Sequence, residues 1–146
     1  MPLATQTGAN IFACRVNGAA WISKTGSFNL GGGLTNDTLY VHGSNPESAS
    51  YYELFNIAIA GLVIGNNFYL LNDTSRYFAE FSTNKPCFIN SSGFGVGSGK
   101  SYNGQVSLTK VDTVQKILSG TFWFNIKTDF CDTLKITDGR FDIRYY

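Results

Sequence analysis

KILSGTFWFNIKTDFCDTLKITDGRFDIRYY, residues 116–146, is the stretch of sequence that decides the fold of this chain. In its first half, Phe122, Phe124 and Ile126 alternate with other residues, and this period of two is typical of a half-buried strand. A second alternating run follows a short turn and closes the chain. The two runs predict an antiparallel hairpin. The rest of the chain can pack against its apolar face.

The second run changes register near its centre. Ile136 and Phe141 are five residues apart, so strict alternation would place their side chains on opposite faces. One extra residue at Asp138-Gly139 would restore the register, and we predict a β-bulge there with Gly139 at a positive φ. Further along the run, we predict that Asp142 pairs with an arginine across strands.

Turn signals separate short alternating runs along the rest of the chain. Asn17-Gly18 is the strongest hairpin dipeptide and predicts a two-residue turn. The glycines at 31–33 are expected to break the chain before a strand at 34–42. Charged residues make up only 14% of the chain and aromatic residues 15%, a mixture that favours strands over helices.

The spacing of these runs predicts an all-β fold. We expect a loose N-terminal lead-in at residues 1–9 and a single all-β domain at residues 10–146. About nine or ten strands at this spacing are typical of an antiparallel β-sandwich. A closed β-barrel of the lipocalin type is the alternative.

Composition argues against several classes of function. A net charge of +1 gives no basic face for nucleic acid, and no apolar run approaches the roughly 18 residues of a membrane helix. The run GVGSGKS at 95–101 lacks the glycine spacing of a phosphate-binding loop. With His42 as its one histidine, the chain offers little for a metal site or a catalytic triad. We therefore expect no metal, no cofactor and no enzymatic activity.

Trp123 is the candidate binding residue. It alternates with Phe122 and Phe124 and so points away from the apolar face of the hairpin, with Thr121 and Asn125 beside it. An outward tryptophan flanked by polar groups can stack on a sugar ring or anchor a partner. The alternative is that a second sheet or a loop covers it.

Three cysteines, Cys14, Cys87 and Cys131, are spaced too far apart for a CxxC pair. In an oxidising compartment they could form one disulfide and leave one free thiol. In a reducing compartment all three would be small buried apolar residues.

Four segments of the chain carry a resemblance to known proteins: ANIFACRVNGAAW at 9–21, GQVSLTKVD at 104–112, SGTFWF at 119–124 and ITDGRFDIRY at 136–145. They are similar to a family of small exported proteins of Bacteroidetes, predicted lipoproteins that are grouped as a domain of unknown function of the DUF6252 type. The resemblance implies export, lipid anchoring in the cell envelope and an all-β domain without an assigned activity. The lipid-bearing cysteine of such proteins has no counterpart here, so the resemblance implies that leader and anchor were removed.

Export, if the resemblance holds, favours a disulfide. Cys131 lies in the predicted hairpin turn, and Cys87 is the preferred partner because a bridge between loops strains strands less; Cys14 is the alternative. The leading functional hypothesis is a non-enzymatic binding module of the cell envelope, with a glycan or another surface component as partner. A carrier of a small apolar ligand in a barrel cavity and a hydrolase whose site the sequence does not locate are the alternatives.

Overall fold

The structure is a computed structural model of the 146-residue chain. It describes the following residues, of which 97–100 are described through their backbone: 1–26, 29–46, 52–63, 68–71, 76–83, 97–127 and 133–146.

Ten strands account for the regular structure of the described residues. In chain order they are β1 Ile11–Val16, β2 Ala19–Ile22, β3 Leu30–Thr35, β4 Thr38–Ser44, β5 Glu53–Ala60, β6 Phe68–Leu70, β7 Tyr77–Thr83, β8 Gly97–Asp112, β9 Ile117–Ile126 and β10 Leu134–Arg144. No helix occurs among these residues, and no segment there has the helical length and hydropathy to cross a bilayer. The predicted all-β fold class is confirmed.

Every strand pairing is antiparallel, and the strands follow the order β2-β1-β10-β9-β8-β7-β5-β4-β3, with β6 also paired to β8. The long strand β8 belongs to two sheets. Its residues 97–100 pair with β7, whereas from Ser101 onwards it pairs with β9. The architecture is that of the predicted β-sandwich. Within the described part of the chain no ladder joins the end strands β2 and β3, so the alternative of a closed barrel is not observed.

Aromatic rings fill the space between the two sheets. Phe12 of β1 stacks on Phe55 of β5 across the sandwich, with ring centroids 6.2 Å apart. Phe55 also contacts Phe81 at 4.6 Å, and Phe12 contacts Phe122 at 5.1 Å. All four side chains are at most 4% exposed. Burial of such large apolar rings is the main stabilising contribution that these strands can make.

The bulge predicted in β10 is present, but the reason given for its glycine is wrong. Ile136 pairs with Phe124 and Gly139 with Phe122, so two residues of β10 stand opposite one residue of β9. The positive φ, 52°, belongs to Asp138 rather than to Gly139. Gly139 is needed for a different reason, since a Cβ there would lie 2.3 Å from the ring of Phe122.

Two tight turns, at residues 17–18 and 36–37, show where the chain forms hairpins. Asn17 and Gly18 both have positive φ, 49° and 86°, as the predicted two-residue hairpin turn requires. A second pair with positive φ, Asn36 and Asp37, joins β3 to β4. The predicted strand at 34–42 is therefore wrong, because the chain reverses direction in its middle.

The glycines at 31–33 do not break the chain but form the centre of β3. Their neighbours on β4 explain why glycine is accepted in a strand. A Cβ at Gly33 would lie 2.6 Å from the hydroxyl of Tyr40, and a Cβ at Gly31 would lie 2.8 Å from the imidazole of His42. The side chains of β4 lie over the glycines and occupy the space that β3 leaves empty.

Candidate functional site

Trp123 lies near the middle of β9, on the outer face of the sheet. Its neighbours Phe122 and Phe124 are buried in the core, whereas Trp123 is 42% exposed. Alternation along the strand turns the indole away from the core, as predicted, and the alternative that a second sheet or a loop covers it does not fit this exposure.

A groove of about 370 Å³ lies beside this indole. We call it the Trp123 groove. Its lining residues come from β8, β9, β10 and the N-terminal segment: Ala4, Gln105, Ser107, Thr121, Phe122, Trp123, Asp138, Gly139 and Arg140. Of the two residues that the sequence placed beside Trp123, Thr121 lines the groove. Asn125 instead donates a hydrogen bond from its amide to Asn103, at 2.8 Å.

The β10 bulge shapes one side of the groove. Trp123 is the β9 residue that stands opposite the two bulge residues, Thr137 and Asp138. The left-handed backbone of Asp138 leaves its side chain in solvent, where its carboxylate lies 3.2 Å from Arg15 on β1. The bulge thus interrupts the ladder beside the indole and opens room next to it.

Cross-strand pairing places polar groups beside the ring. Gln105 of β8 stands directly opposite Trp123, and Ser107 stands opposite Thr121. The amide of Gln105 donates a hydrogen bond to the hydroxyl of Ser107 at 2.9 Å. Paired residues of an antiparallel sheet share one face. The floor of the groove is therefore a patch of hydroxyl and amide groups next to the exposed ring of Trp123.

An apolar side chain continues the same row. Leu70 of β6 stands opposite Gln105, which in turn stands opposite Trp123. Leu70 is 49% exposed, so this face presents apolar surface on both sides of the glutamine. Neighbouring strands are about 4.8 Å apart, so Leu70 and Trp123 are separated by roughly 10 Å.

The charged groups of the groove already have partners. Arg140 donates from one guanidinium nitrogen to the carbonyl oxygen of Pro2 and from the other to the carbonyl oxygen of Asp138, the latter at 3.5 Å. The carboxylate of Asp138 is paired with Arg15. Backbone carbonyl groups therefore hold Arg140 in place, and the remaining polar groups of the groove are neutral.

The N-terminal segment forms another wall of the groove through Ala4. This segment, expected to be a loose lead-in, is tied to Asp142 by hydrogen bonds. The carboxylate accepts bonds from the hydroxyl of Thr5 at 2.5 Å, from the backbone N–H of Gly8 at 2.8 Å and from that of Ala9 at 3.0 Å. The hydroxyl of Ser119 donates a further bond at 2.7 Å.

Asp142 itself is 2% exposed. Its burial raises the pKa, but the hydrogen bonds from Thr5, Ala9, Ser119 and Gly8 outweigh this effect and lower the pKa to about 2. The prediction of an arginine partner for Asp142 is wrong: backbone N–H and hydroxyl groups hold this carboxylate.

The other candidate residues lie away from the groove. Cys14 is a free, fully buried thiol, and its burial, together with the charge of Glu53, raises its pKa to about 12. The preferred disulfide pair, Cys87 and Cys131, lies outside the described residues.

His42 is half-buried on β4, and burial lowers the pKa of its imidazole. In the described part of the chain, no three His, Cys, Asp or Glu side chains group in a way that could hold a metal ion.

Sequence reasoning missed Gln105, Leu70 and Arg140 as neighbours of Trp123. Gln105 lies in a run with clear alternation, so its outward orientation could have been read from the sequence. Its position opposite Trp123 could not, because that position depends on the register between β8 and β9, which includes two irregularities.

The comparison with protein families covers almost the whole chain, including most of the groove. Residues 9–142 match the model of the family described as Domain of unknown function (DUF6252). The chain belongs to the DUF6252 family. No curated protein and no solved structure matches it. The DUF6252 match runs from just before β1 to near the end of β10, so it includes Trp123 and every other residue that lines the groove except Ala4.

Proposed function

We propose that this DUF6252 protein is a non-enzymatic binding module that holds a neutral glycan in the Trp123 groove. The observation that carries the proposal is the exposed indole of Trp123 beside the amide of Gln105 and the hydroxyls of Ser107 and Thr121. A sugar ring has an apolar C–H face and a polar rim. The indole suits the face, and the amide and hydroxyls suit the rim.

The length of the apolar row favours an oligosaccharide. Trp123 and Leu70 lie on either side of Gln105, roughly 10 Å apart by strand spacing. This distance, estimated from the strand spacing, is about the length of two linked hexose rings. One ring would lie on Trp123, and the next would lie over Gln105 towards Leu70.

The electrostatics favour a neutral ligand. Asp138 is paired with Arg15, and Arg140 donates to two backbone carbonyl groups. A charged ligand would have to compete with these partners. A neutral sugar needs only the hydroxyl and amide groups, which exchange hydrogen bonds with water at little cost.

We further propose that the module works in the cell envelope, attached to the membrane through a lipid anchor on its precursor. This setting rests on the resemblance to exported lipoproteins of Bacteroidetes and on the low charge and high Asn, Thr and Tyr content of an exported β protein. A glycan of the envelope or of the surroundings would then be within reach of the groove.

No specific observation favours the two other hypotheses. A carrier of an apolar ligand needs interior space, whereas the rings of Phe12, Phe55, Phe81 and Phe122 contact one another between the sheets. A hydrolase built on His42 needs a nucleophile and a carboxylate near it. The described residues that line the cleft at His42 include neither a serine nor an acidic side chain.

The experiment is a titration of the purified chain with neutral trisaccharides, namely cellotriose, maltotriose, mannotriose and triacetylchitotriose. Calorimetry would measure affinity, and tryptophan fluorescence would locate the binding. The chain has two tryptophans, and Trp21 is 6% exposed with its indole N–H bonded to Glu53. A change in emission would therefore arise mainly from Trp123.

The decisive variant is Trp123→Ala, which should weaken binding by about tenfold or more, the effect of losing an aromatic anchor. The matched control is Tyr102→Ala on β8, because Tyr102 is 52% exposed but lies outside the groove. Lack of binding by the unmodified chain to all four sugars would overturn the glycan proposal. Equal affinity of the Trp123→Ala variant would show that the ligand binds elsewhere.

A further inference from the structure

A second cleft, of about 570 Å³, lies where the sandwich is open between β3 and the end of β10. We call it the seam cleft. Its lining residues come from the N-terminal segment, β3, β4 and the C-terminal residues: Ala9, Asn10, Thr25, Gly26, Leu30, Gly31, Gly32, Tyr40, His42, Arg144, Tyr145 and Tyr146. It shares no lining residue with the Trp123 groove.

The glycines of β3 give this cleft its flat wall. A Cβ at Gly31 would meet the imidazole of His42 at 2.8 Å, and a Cβ at Gly32 would meet the carbonyl oxygen of Tyr40 at 2.8 Å. Any larger residue would push the imidazole of His42 or the β4 backbone away. This wall therefore consists of the backbone of β3 together with the imidazole of His42 and the phenol of Tyr40. Such a surface can pack against the face of a ring.

Arg144 is the charged residue of the seam cleft. It is exposed, and its guanidinium donates one hydrogen bond, to the carbonyl oxygen of Thr7 at 3.4 Å. A guanidinium has five N–H donors, so most of its capacity faces the cleft or solvent. None of the described lining residues is acidic. Arg144 thus gives the cleft a cation with unused donors and no acidic side chain beside it.

His42 adds a neutral polar group. Burial lowers the pKa of its imidazole, so the ring offers one donor and one acceptor at neutral pH. Tyr40 is 45% exposed and adds a phenolic hydroxyl. The cleft therefore combines one cation with neutral groups that can bond to hydroxyls.

We propose that the seam cleft is a second binding site, for a small molecule that carries a carboxylate on a six-membered ring. The fork of Arg144 matches a carboxylate bidentately, and Tyr40 and His42 contact the ring and its hydroxyls. Two sources share this chemistry: an acidic sugar and an aromatic acid.

The single histidine of the chain makes the test direct. The imidazole proton signals in a one-dimensional NMR spectrum come from His42 alone. The probes are glucuronate and 4-hydroxybenzoate, with glucose and 4-hydroxybenzyl alcohol as neutral counterparts and acetate as the carboxylate without a ring. We expect a saturable shift of the His42 signals with at least one ring-bearing acid and none with its neutral counterpart.

The pattern among probes identifies the source. A response to glucuronate assigns the site to acidic sugars, and a response to 4-hydroxybenzoate assigns it to aromatic acids. An equal affinity for acetate would overturn the proposal, because the ring would then contribute nothing. Absence of a saturable shift with both ring-bearing acids would overturn it as well.

The variant Arg144→Gln removes the guanidinium but keeps a polar side chain, and it should weaken binding by about tenfold or more. Its matched control is Arg15→Gln, which removes an arginine that is paired with Asp138 and lies outside the seam cleft. Equal loss in both variants would mean that net charge and not Arg144 attracts the ligand, and would overturn the proposal. The comparison between acids and neutral counterparts uses the unmodified chain, so it stands even if a variant folds poorly.

Discussion

Replacing Asp142 with asparagine removes the charge that holds the N-terminal segment on the sheet. The carboxylate accepts hydrogen bonds from Thr5, Gly8, Ala9 and Ser119, all between 2.5 and 3.0 Å. Asparagine has nearly the same shape but offers one oxygen instead of two. Its NH₂ group must face donors that previously bonded to the carboxylate, and buried donors that lose their acceptors are costly.

The size of the effect follows from the pKa of Asp142. Folding lowers this pKa from its ordinary value of 3.8 to about 2. At about 1.4 kcal/mol per pKa unit, the charged form contributes on the order of 2 kcal/mol to the free energy of unfolding. The unfolded chain takes up the proton first. This contribution is therefore complete above about pH 4, falls to roughly half near pH 3 and is lost below about pH 2.

The assay is urea unfolding followed by circular dichroism, at about pH 7 and about pH 3. Asp142→Asn should lower the free energy of unfolding by on the order of 2 kcal/mol at neutral pH, and the difference from the unmodified chain should shrink towards pH 3. Asp138→Asn in the same strand is the control. Asp138 is exposed and its surface ion pair with Arg15 contributes about 0–1 kcal/mol. A neutral-pH loss below about 0.5 kcal/mol, or a difference that does not depend on pH, would refute the reasoning.

Three further predictions concern single residues. Gly139→Ala should lower the free energy of unfolding by about 1–3 kcal/mol in urea titration, because its Cβ would lie 2.3 Å from the ring of Phe122; an unchanged midpoint would contradict the close approach. Cys14 should resist iodoacetamide in the folded chain and react in urea, as mapped by peptide mass spectrometry, because burial and the charge of Glu53 raise its pKa to about 12; rapid labelling of the folded chain would contradict this. The imidazole of His42 should titrate below 6.5 in NMR, and its contribution to stability should fall as the pH drops below that value; a midpoint at or above 6.5 would contradict its burial.

Local alternation predicted the closing hairpin well. The outward orientation of Trp123 between Phe122 and Phe124 follows from a period of two, which depends on the backbone of one strand only. The β10 bulge was predictable for the same reason, since a break in the period requires an extra residue. Asn17-Gly18 was predictable because few dipeptides accept two positive φ angles.

Features that depend on a neighbouring strand were not predictable. The glycines at 31–33 indicate a break when only their own propensity is considered, but Tyr40 and His42 from β4 lie over them and make a strand. The reason for Gly139 was missed in the same way, because the ring that excludes a Cβ belongs to Phe122 on β9. The residues of β10 alone predict an arginine partner for Asp142, whereas in the fold the N-terminal segment supplies its hydrogen-bond donors.

The sequence alone therefore determined the all-β class, the antiparallel sandwich, the position of the bulge and the outward tryptophan. These follow from periodicity and turn chemistry, which act over a few residues of one strand. Only the tertiary structure decided what surrounds Trp123. Strand register places Gln105 and Arg140 beside it, and the anchored N-terminal segment places Ala4 there. The tertiary structure also decided that β3 and the end of β10 leave a cleft between them that Arg144 and His42 line, since that gap arises from how two sheets meet and not from any one stretch of the chain.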